Sequence, residues 1–147
     1  VYRIMNTRIR DPFLQKRVCF YPAPLDIGRM QAAASAFEGT HDFAAVRSVG
    51  TETKTTVRTI YWCRAEKLGD EIKVAVCADG FLYNMVRAIA GTLTYVGGGK
   101  LAPEQVRDVL LACDREQAGP TLPACGLFMN RLWYDDTPEL DRFRLSD

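Results

Sequence analysis

Residues 81–96 read FLYNMVRAIAGTLTYV, and how this run folds decides the rest of the chain. At about 100° per residue, Phe81, Leu82, Met85, Val86, Ile89, Leu93 and Val96 fall on one arc of about 140°, the apolar stripe of a helix laid on a core. The spacing predicts a helix over 81–96, closed by Gly97, Gly98 and Gly99, whose backbone can turn where other residues resist. On the opposite side lie Tyr83, Asn84, Arg87, Gly91 and Thr94. Arg87 is the only charged side chain in the run. A solvated helix face normally mixes charges of both signs. A lone guanidinium ringed by an aromatic, an amide, a hydroxyl and a glycine suits a cleft or a second domain better than bulk water. Two readings of Arg87 stand side by side. It holds an anion, either a carboxylate from elsewhere or a phosphate, or it pairs with a nearby Asp for structural reasons.

Upstream of this helix the pattern is that of a hairpin. Val57 to Glu66 and Glu71 to Ala78 are strand-like, joined by Lys67-Leu-Gly-Asp70, with Ile72, Val74, Val76 and Ala78 on one face. Val1 to Asn6 is a further strand, with Tyr2 and Ile4 on one side. Residues 7–24, with Pro12, Pro22 and Pro24, carry no period and read as an irregular crossing. Asp26 is the expected N-cap of a helix to Glu38, with Gly39 as its stop. Gly39 to Phe43 reads as a tight connection and 48–56 as a polar, mobile loop. Downstream, Pro103 opens a helix to about Cys113 with Val106, Val109 and Leu110 as its stripe. Residues 114–124 read as a loop, 126–134 as a final strand, and 136–147 as a polar tail following one domain over 1–135. The expected fold is α+β, a mixed, mostly antiparallel sheet with helices packed on one face.

Composition narrows the class without choosing a function. The 147 residues are 48% hydrophobic and 25% charged, and 19 Lys plus Arg against 18 Asp plus Glu leave a net charge of +1. Such a balance gives no global pull toward nucleic acid or membrane, so any polyanion must be met by a local patch. The five cysteines are scattered and odd in number, with no CxxC spacing and only His41 to complete a metal set. They read as reduced thiols of a cytoplasmic protein, with no metal site. The apolar runs are too short to cross a bilayer. The chain opens on a strand-like run without an initiator Met, which is how a piece of a longer polypeptide reads.

The other candidates are local. His41-Asp42 is either an acid–base pair or, more simply, a turn with its His capping the preceding helix. Arg8, Arg10, Lys16 and Arg17, interleaved with Phe13, Phe20 and Tyr21, suit phosphate contacts with base stacking, or form an ordinary solvated loop. Arg47, Lys54, Arg58 and Arg64 could extend such a surface. Gly97-Gly-Gly99-Lys100 follows a helix rather than opening one and lacks the spacing of a phosphate loop. By pattern alone the chain supplies an anion-holding arginine and no nucleophile.

Several words occur in a telling order: Tyr2-x-Ile4-x-Asn6, Arg10-Asp-Pro-Phe13, Gly39-Thr-His-Asp-Phe43, Arg58-Thr-Ile60, Phe81-Leu-Tyr-Asn-Met-Val-Arg87, Gly91-Thr-Leu93, Asp114-Arg115, Ala118-Gly-Pro-Thr121 and Gly126-Leu127. Together they closely resemble the C-terminal half of the tRNA pseudouridine synthase A family, over essentially residues 1–135. The resemblance implies a cofactor-free isomerase that converts uridine to pseudouridine in the tRNA anticodon stem-loop. It implies that Arg87 pairs with an Asp of an Arg-Thr-Asp-Ala-Gly motif, the group that starts glycosidic cleavage, and that Leu127 packs on the target base. It also points to Arg8, Arg10, His41, Arg58, Tyr83 and Asn84 as RNA contacts, to a homodimer and to no membrane.

The Arg-Thr-Asp-Ala-Gly motif is absent from the chain, and the resemblance places it in an N-terminal half that acts as a necessary partner. The family's active-site tyrosine falls one position ahead of Val1, so Tyr2 does not take that role, and Val46 stands where the family has an aromatic. The expectation is half an active site, inactive alone. A stand-alone, non-catalytic RNA-binding module is the alternative, and a structural dimerisation domain a third reading.

Overall fold

The computed structural model describes residues 1–48, 50 and 52–134. Strand β1 (Tyr2–Met5) alternates as read, with Tyr2 and Ile4 fully buried. It sits inside a five-stranded sheet of order β2-β1-β5-β4-β3, where β2 is Cys19–Phe20, β3 Gly39–Asp42, β4 Val57–Leu68 and β5 Glu71–Ala78. Only the β1–β2 pair is parallel. Helices α1 (Ile27–Ala34), α2 (Met85–Gly97) and α3 (Gln105–Ala112) share one hydrophobic core with the inner face of the sheet. The fold is therefore the expected α+β arrangement.

A bulge between Ile60 and Trp62 sets the two faces of β4. Ile60, Cys63 and Ala65 face the helices, an odd step that strict alternation forbids and one extra residue permits. Trp62 is thereby turned to the outer face, where it packs with Ala75, Cys77, Val1 and Trp133. The hairpin itself turns at Gly69-Asp70, tighter than the four-residue link read from sequence, with Gly69 at φ +59.

Helix α1 is capped as expected, the Asp26 carboxylate accepting from the Arg29 amide at 3.1 Å. It ends at Ala34 and tightens into a 3-10 turn over Ser35–Phe37, rather than running to Glu38. Gly39, at φ +98, starts a strand instead of stopping a helix. That strand, β3, replaces the expected connection. It is an exposed edge paired among the described residues with β4 alone, antiparallel, with the Thr40 and Thr59 hydroxyls a further 2.9 Å contact, so it carries no apolar alternation to betray it. Strand β2 was hidden for a related reason, since two residues have no period. It is pinned by the Tyr21 amide on the Met5 carbonyl (2.9 Å) and by the Asn6 amide on the carbonyls of Tyr21 (2.9 Å) and Ala23 (2.7 Å).

Helix α2 begins at Met85, four residues after the expected start, because Asn84 takes a left-handed conformation (φ 60) that no helix continues through. Phe81 and Tyr83 are consequently exposed. The triple glycine does end α2, with Gly98 as cap and Gly99 at φ +80. Helix α3 starts two residues after Pro103 and stops before Cys113, at φ 52. Residues 126–134 do not form the expected strand. A 3-10 turn covers Ala124–Gly126, one isolated bridge joins Tyr2 to Leu127, and Val1 and Phe128 exchange backbone bonds of 2.9 and 2.8 Å. Beyond that pair the described residues offer this stretch no further strand partner. Within 47–56 the described residues form neither helix nor strand before Val57. The expected tail, 136–147, lies outside the described residues. No helix among the described residues is long and apolar enough to cross a membrane.

The closest approach at any glycine among the described residues is backbone on backbone. Residues 118–123 cross α2 at Gly91, where an added Cβ would lie 1.7 Å from the Pro120 carbonyl oxygen. From the other side, a Cβ on Gly119 would lie 2.3 Å from the Gly91 oxygen. The Gly119 amide also donates to the Thr92 hydroxyl at 3.0 Å. Part of the weakly charged helix face is thus covered by the chain itself. Gly91→Ala is expected to lower the unfolding free energy by about 3 kcal/mol or more, since backbone cannot retreat as a side chain can. Urea denaturation followed by circular dichroism reads this, and an unchanged midpoint would contradict the crossing.

Candidate active-site half around Arg87

Arg87 stands at the third position of α2, half-buried. Its Nε donates to the Leu122 carbonyl at 2.6 Å and its Nη1 to the Asn84 side-chain carbonyl at 2.7 Å. The Leu122 amide returns a bond to the Arg87 carbonyl at 3.3 Å. Both acceptors of the guanidinium are neutral oxygens. Among the described residues no carboxylate pairs with it, and the Arg3–Glu71 ion pair lies elsewhere, across β1 and β5. A guanidinium carries five donors and keeps its charge at any working pH. The arrangement therefore fixes the direction of a cation while leaving its charge and remaining donors for an incoming anion. Of the two readings open in the sequence, the pairing with an Asp nearby in the chain has no support in this geometry.

Asn84 makes this possible in an unusual way. As the residue capping α2 it would ordinarily accept a bond from an amide of the first turn. It makes no such bond. Its carbonyl faces Arg87 instead, and its amide donates to the Ser48 hydroxyl at 2.9 Å, while the Ser48 amide donates to the Tyr83 carbonyl at 3.0 Å. The forgone cap costs about 1 kcal/mol. Ser48 has no motif around it and could not have been found by spacing.

Beside this network lies a cavity of about 450 Å³, walled by Val1, Trp62, Phe81, Tyr83, Leu127 and Trp133 among others. Asn84 also borders it, so the residue that holds Arg87 is shared with an apolar hollow on the outer face of the sheet. Leu127 is 40% exposed there. Its placement depends on Gly126, where a Cβ would meet the Tyr2 ring at 2.7 Å and the Arg3 carbonyl at 2.8 Å. Tyr2 lies beneath, fully buried, its hydroxyl donating to the Pro123 carbonyl at 2.6 Å. Burial above all, then the Cys19 thiol beside it, pushes the Tyr2 phenol well above its ordinary range, and the Arg87 charge opposes that only in small part. Burial likewise pushes the Cys19 and Cys63 thiols up.

The remaining sequence candidates do not form one cluster. Arg8 and Arg10 are exposed, Arg10 lying 4.8 Å from the ring centre of Phe20 on β2. His41 and Arg58 face each other across the β3–β4 pair, at the opposite edge. The His41 ring bonds the Glu38 carbonyl at 2.7 Å and meets the Phe43 ring edge-on, which is the capping role rather than an acid–base pair with Asp42. The Asp42 carboxylate is used by the Ala44 amide at 2.9 Å. Arg58 donates to the carbonyls of Val57 (2.6 Å) and Thr55 (3.0 Å). Tyr83 is exposed at the mouth of the cavity. No group of His, Cys, Asp and Glu among the described residues could hold a metal ion.

The site thus combines a half-buried arginine at a helix start, a leucine at the lip of an apolar hollow, and no carboxylate paired with that arginine among the described residues. Residues 33–135 match the family described as tRNA pseudouridine synthase. The chain belongs to that family. It is 46% identical over 133 residues to the tRNA pseudouridine synthase A of Brevibacillus brevis, covering 90% of this chain and 54% of the relative. The protein of the same name from Thermoanaerobacter sp. (strain X514) is 42% identical over the same shares, and that of Herminiimonas arsenicoxydans 37% identical over 99% of this chain and 53% of the relative. The chain spans about half the length of these curated relatives.

Tyr2→Phe tests the floor of the site. Leaving the Pro123 carbonyl unpaired is expected to cost about 1 kcal/mol near neutral pH. In the wild type the folded state keeps the phenol protonated where the unfolded chain ionises it. That contribution is complete below about pH 10 and is lost as pH rises further. The variant lacks this alkaline loss, so the stability gap should narrow above pH 10 in urea titrations. A gap that stays constant would show that Tyr2 ionises as freely folded as unfolded.

Proposed function

We propose that this chain is the C-terminal half of an enzyme that isomerises uridine to pseudouridine in the anticodon stem-loop of tRNA. The observation that carries the reading is the Arg87 guanidinium, oriented by two neutral oxygens and lacking an acidic partner among the described residues. Family membership and the half-length match to curated relatives support it. The missing partner is the Asp of an Arg-Thr-Asp-Ala-Gly segment in the N-terminal half. Beside Arg87 such a carboxylate stays ionised in a dry cleft, because the opposite charge favours its charged form.

The chemistry then follows from the two halves together. The Asp starts cleavage of the bond between uracil N1 and ribose C1′. The detached base turns, C5 bonds to C1′, and the hydrogen on C5 leaves to solvent while N1 takes a proton. A base reacting in this way must leave its stack. Leu127 at the lip of the hollow gives the extruded ring an apolar face to rest on. Arg8, Arg10, His41, Arg58 and Tyr83 are read as the RNA-facing set, with phosphate contacts from the cations and stacking from Tyr83, while the Asn84 amide is taken up by Arg87 and Ser48. The same reading makes the full enzyme a cytoplasmic homodimer in which one tRNA touches both subunits, working without a cofactor.

Two measurements test it. The 147-residue chain alone should release no tritium from tRNA labelled at uridine C5. In the full-length enzyme Arg87→Ala should reduce turnover by about two to four decades, the loss expected when one partner of a buried ion pair is removed, while tRNA affinity changes far less. A loss below tenfold would remove Arg87 from the site.

A further inference from the structure

We infer that Asn84 is a positioning residue, acting through Arg87, and that its amide must be neutral for the reaction to proceed. The inference rests on the role proposed for Arg87. Three observations converge on it. The Asn84 backbone is left-handed (φ 60, ψ 10), one turn before Arg87. Asn is the side-chain-bearing residue that best tolerates this conformation, and glycine is the other natural occupant. Its side chain gives up the capping bond that Asn makes at a helix start, a local rule broken without a local gain. Both ends of the amide are used elsewhere, the carbonyl on Arg87 Nη1 (2.7 Å) and the amide on the Ser48 hydroxyl (2.9 Å).

The chemistry explains why an amide is needed. A carboxylate at position 84 would hold the guanidinium equally well, since Asp and Asn have the same shape. It would also neutralise Arg87 inside the chain and repel a second carboxylate arriving from the other half of the cleft. An amide oxygen directs the cation and consumes none of its charge. Ser48 completes the device. The donor-only guanidinium selects the carbonyl end of Asn84, the Ser48 hydroxyl accepts from the amide nitrogen left over, and the Ser48 backbone amide anchors it to Tyr83. Asn84 is therefore engaged within the chain rather than free for RNA.

The test uses the full-length enzyme and tritium release from uridine-labelled tRNA under single turnover. Asn84→Gly keeps the left-handed backbone open and removes only the amide. It should lower the rate about 10- to 100-fold, the range for losing a hydrogen bond to a charged group, with KM for tRNA within about threefold of wild type. Asn84→Asp should lose at least as much as Asn84→Gly despite its shape. In an Arg87→Ala background Asn84→Gly should have no further effect, because its route to the reaction is already cut. An Asp variant as active as wild type, or a glycine variant whose loss adds in full to that of Arg87→Ala, would overturn the inference. If Arg87→Ala itself loses less than tenfold, the reading of the site has failed. If Arg87→Ala loses a hundredfold or more while Asn84→Gly loses nothing, only the inference about Asn84 has failed.

Discussion

The contact on which the rest of this structure depends is the crossing of residues 118–123 over helix α2, with no side chain between the two backbones. Gly91 and Gly119 let the chains meet, and both must be glycine because a Cβ on Gly91 would strike the Pro120 carbonyl and one on Gly119 the Gly91 carbonyl. Once there, the segment is held at several points. The Thr92 hydroxyl takes the Gly119 amide, and Arg115 donates to the Gly119 carbonyl (2.7 Å) and the Thr121 hydroxyl (2.9 Å). The result reaches the site directly, because the same segment brings the Leu122 carbonyl to Arg87 and the Pro123 carbonyl to Tyr2. Two backbone acceptors, one for Arg87 and one for Tyr2, are placed by packing that lies about a turn of helix away from the arginine.

A second close approach does for Leu127 what the first does for Arg87. Gly126 lies against the Tyr2 ring and the β1 backbone. That fixes the exit of the chain from the 3-10 turn over Ala124–Gly126, and the bridge from Tyr2 to Leu127 follows from it. The two residues that the family resemblance singles out are thus both set by glycine contacts on rigid elements. Such support matters in a cleft, where small displacements of a directing group are costly in rate.

What was legible in the sequence follows from where the signal lies. Helix α2, the β4–β5 hairpin and the alternation of β1 were readable because each buries a long stripe, and burial writes periodicity into sequence. Strands β2 and β3 were not, one being too short for a period and the other an exposed polar edge. Residues 126–134 misled in the opposite direction. Their apolar residues suggested a strand, yet Met129, Leu132 and Tyr134 are exposed. The start of α2 was misplaced because Phe81 and Leu82 happen to continue the apolar phase, while the left-handed turn at Asn84 leaves no periodic mark. In the site, Arg87 announced itself by standing alone among uncharged neighbours. Its acceptors did not, because a backbone carbonyl looks the same in every residue, and Ser48 is joined to Asn84 only by folding.

The Arg87 site also shows how a protein can store an unspent charge. A half-buried cation is ordinarily expensive unless paired, yet here its nearest acceptors are a peptide carbonyl and a side-chain amide. Dipoles of this kind offset part of the desolvation without cancelling the field, so the field remains available to any anion that completes the cleft. The Tyr2 phenol feels that field only weakly, since burial dominates it and keeps it neutral. The half-site is therefore polarised in one direction, with a fixed positive centre, a neutral floor and an apolar hollow alongside. A carboxylate delivered to such a surface gains more than it would beside a freely hydrated arginine, because the guanidinium is half-buried and already directed by two hydrogen bonds.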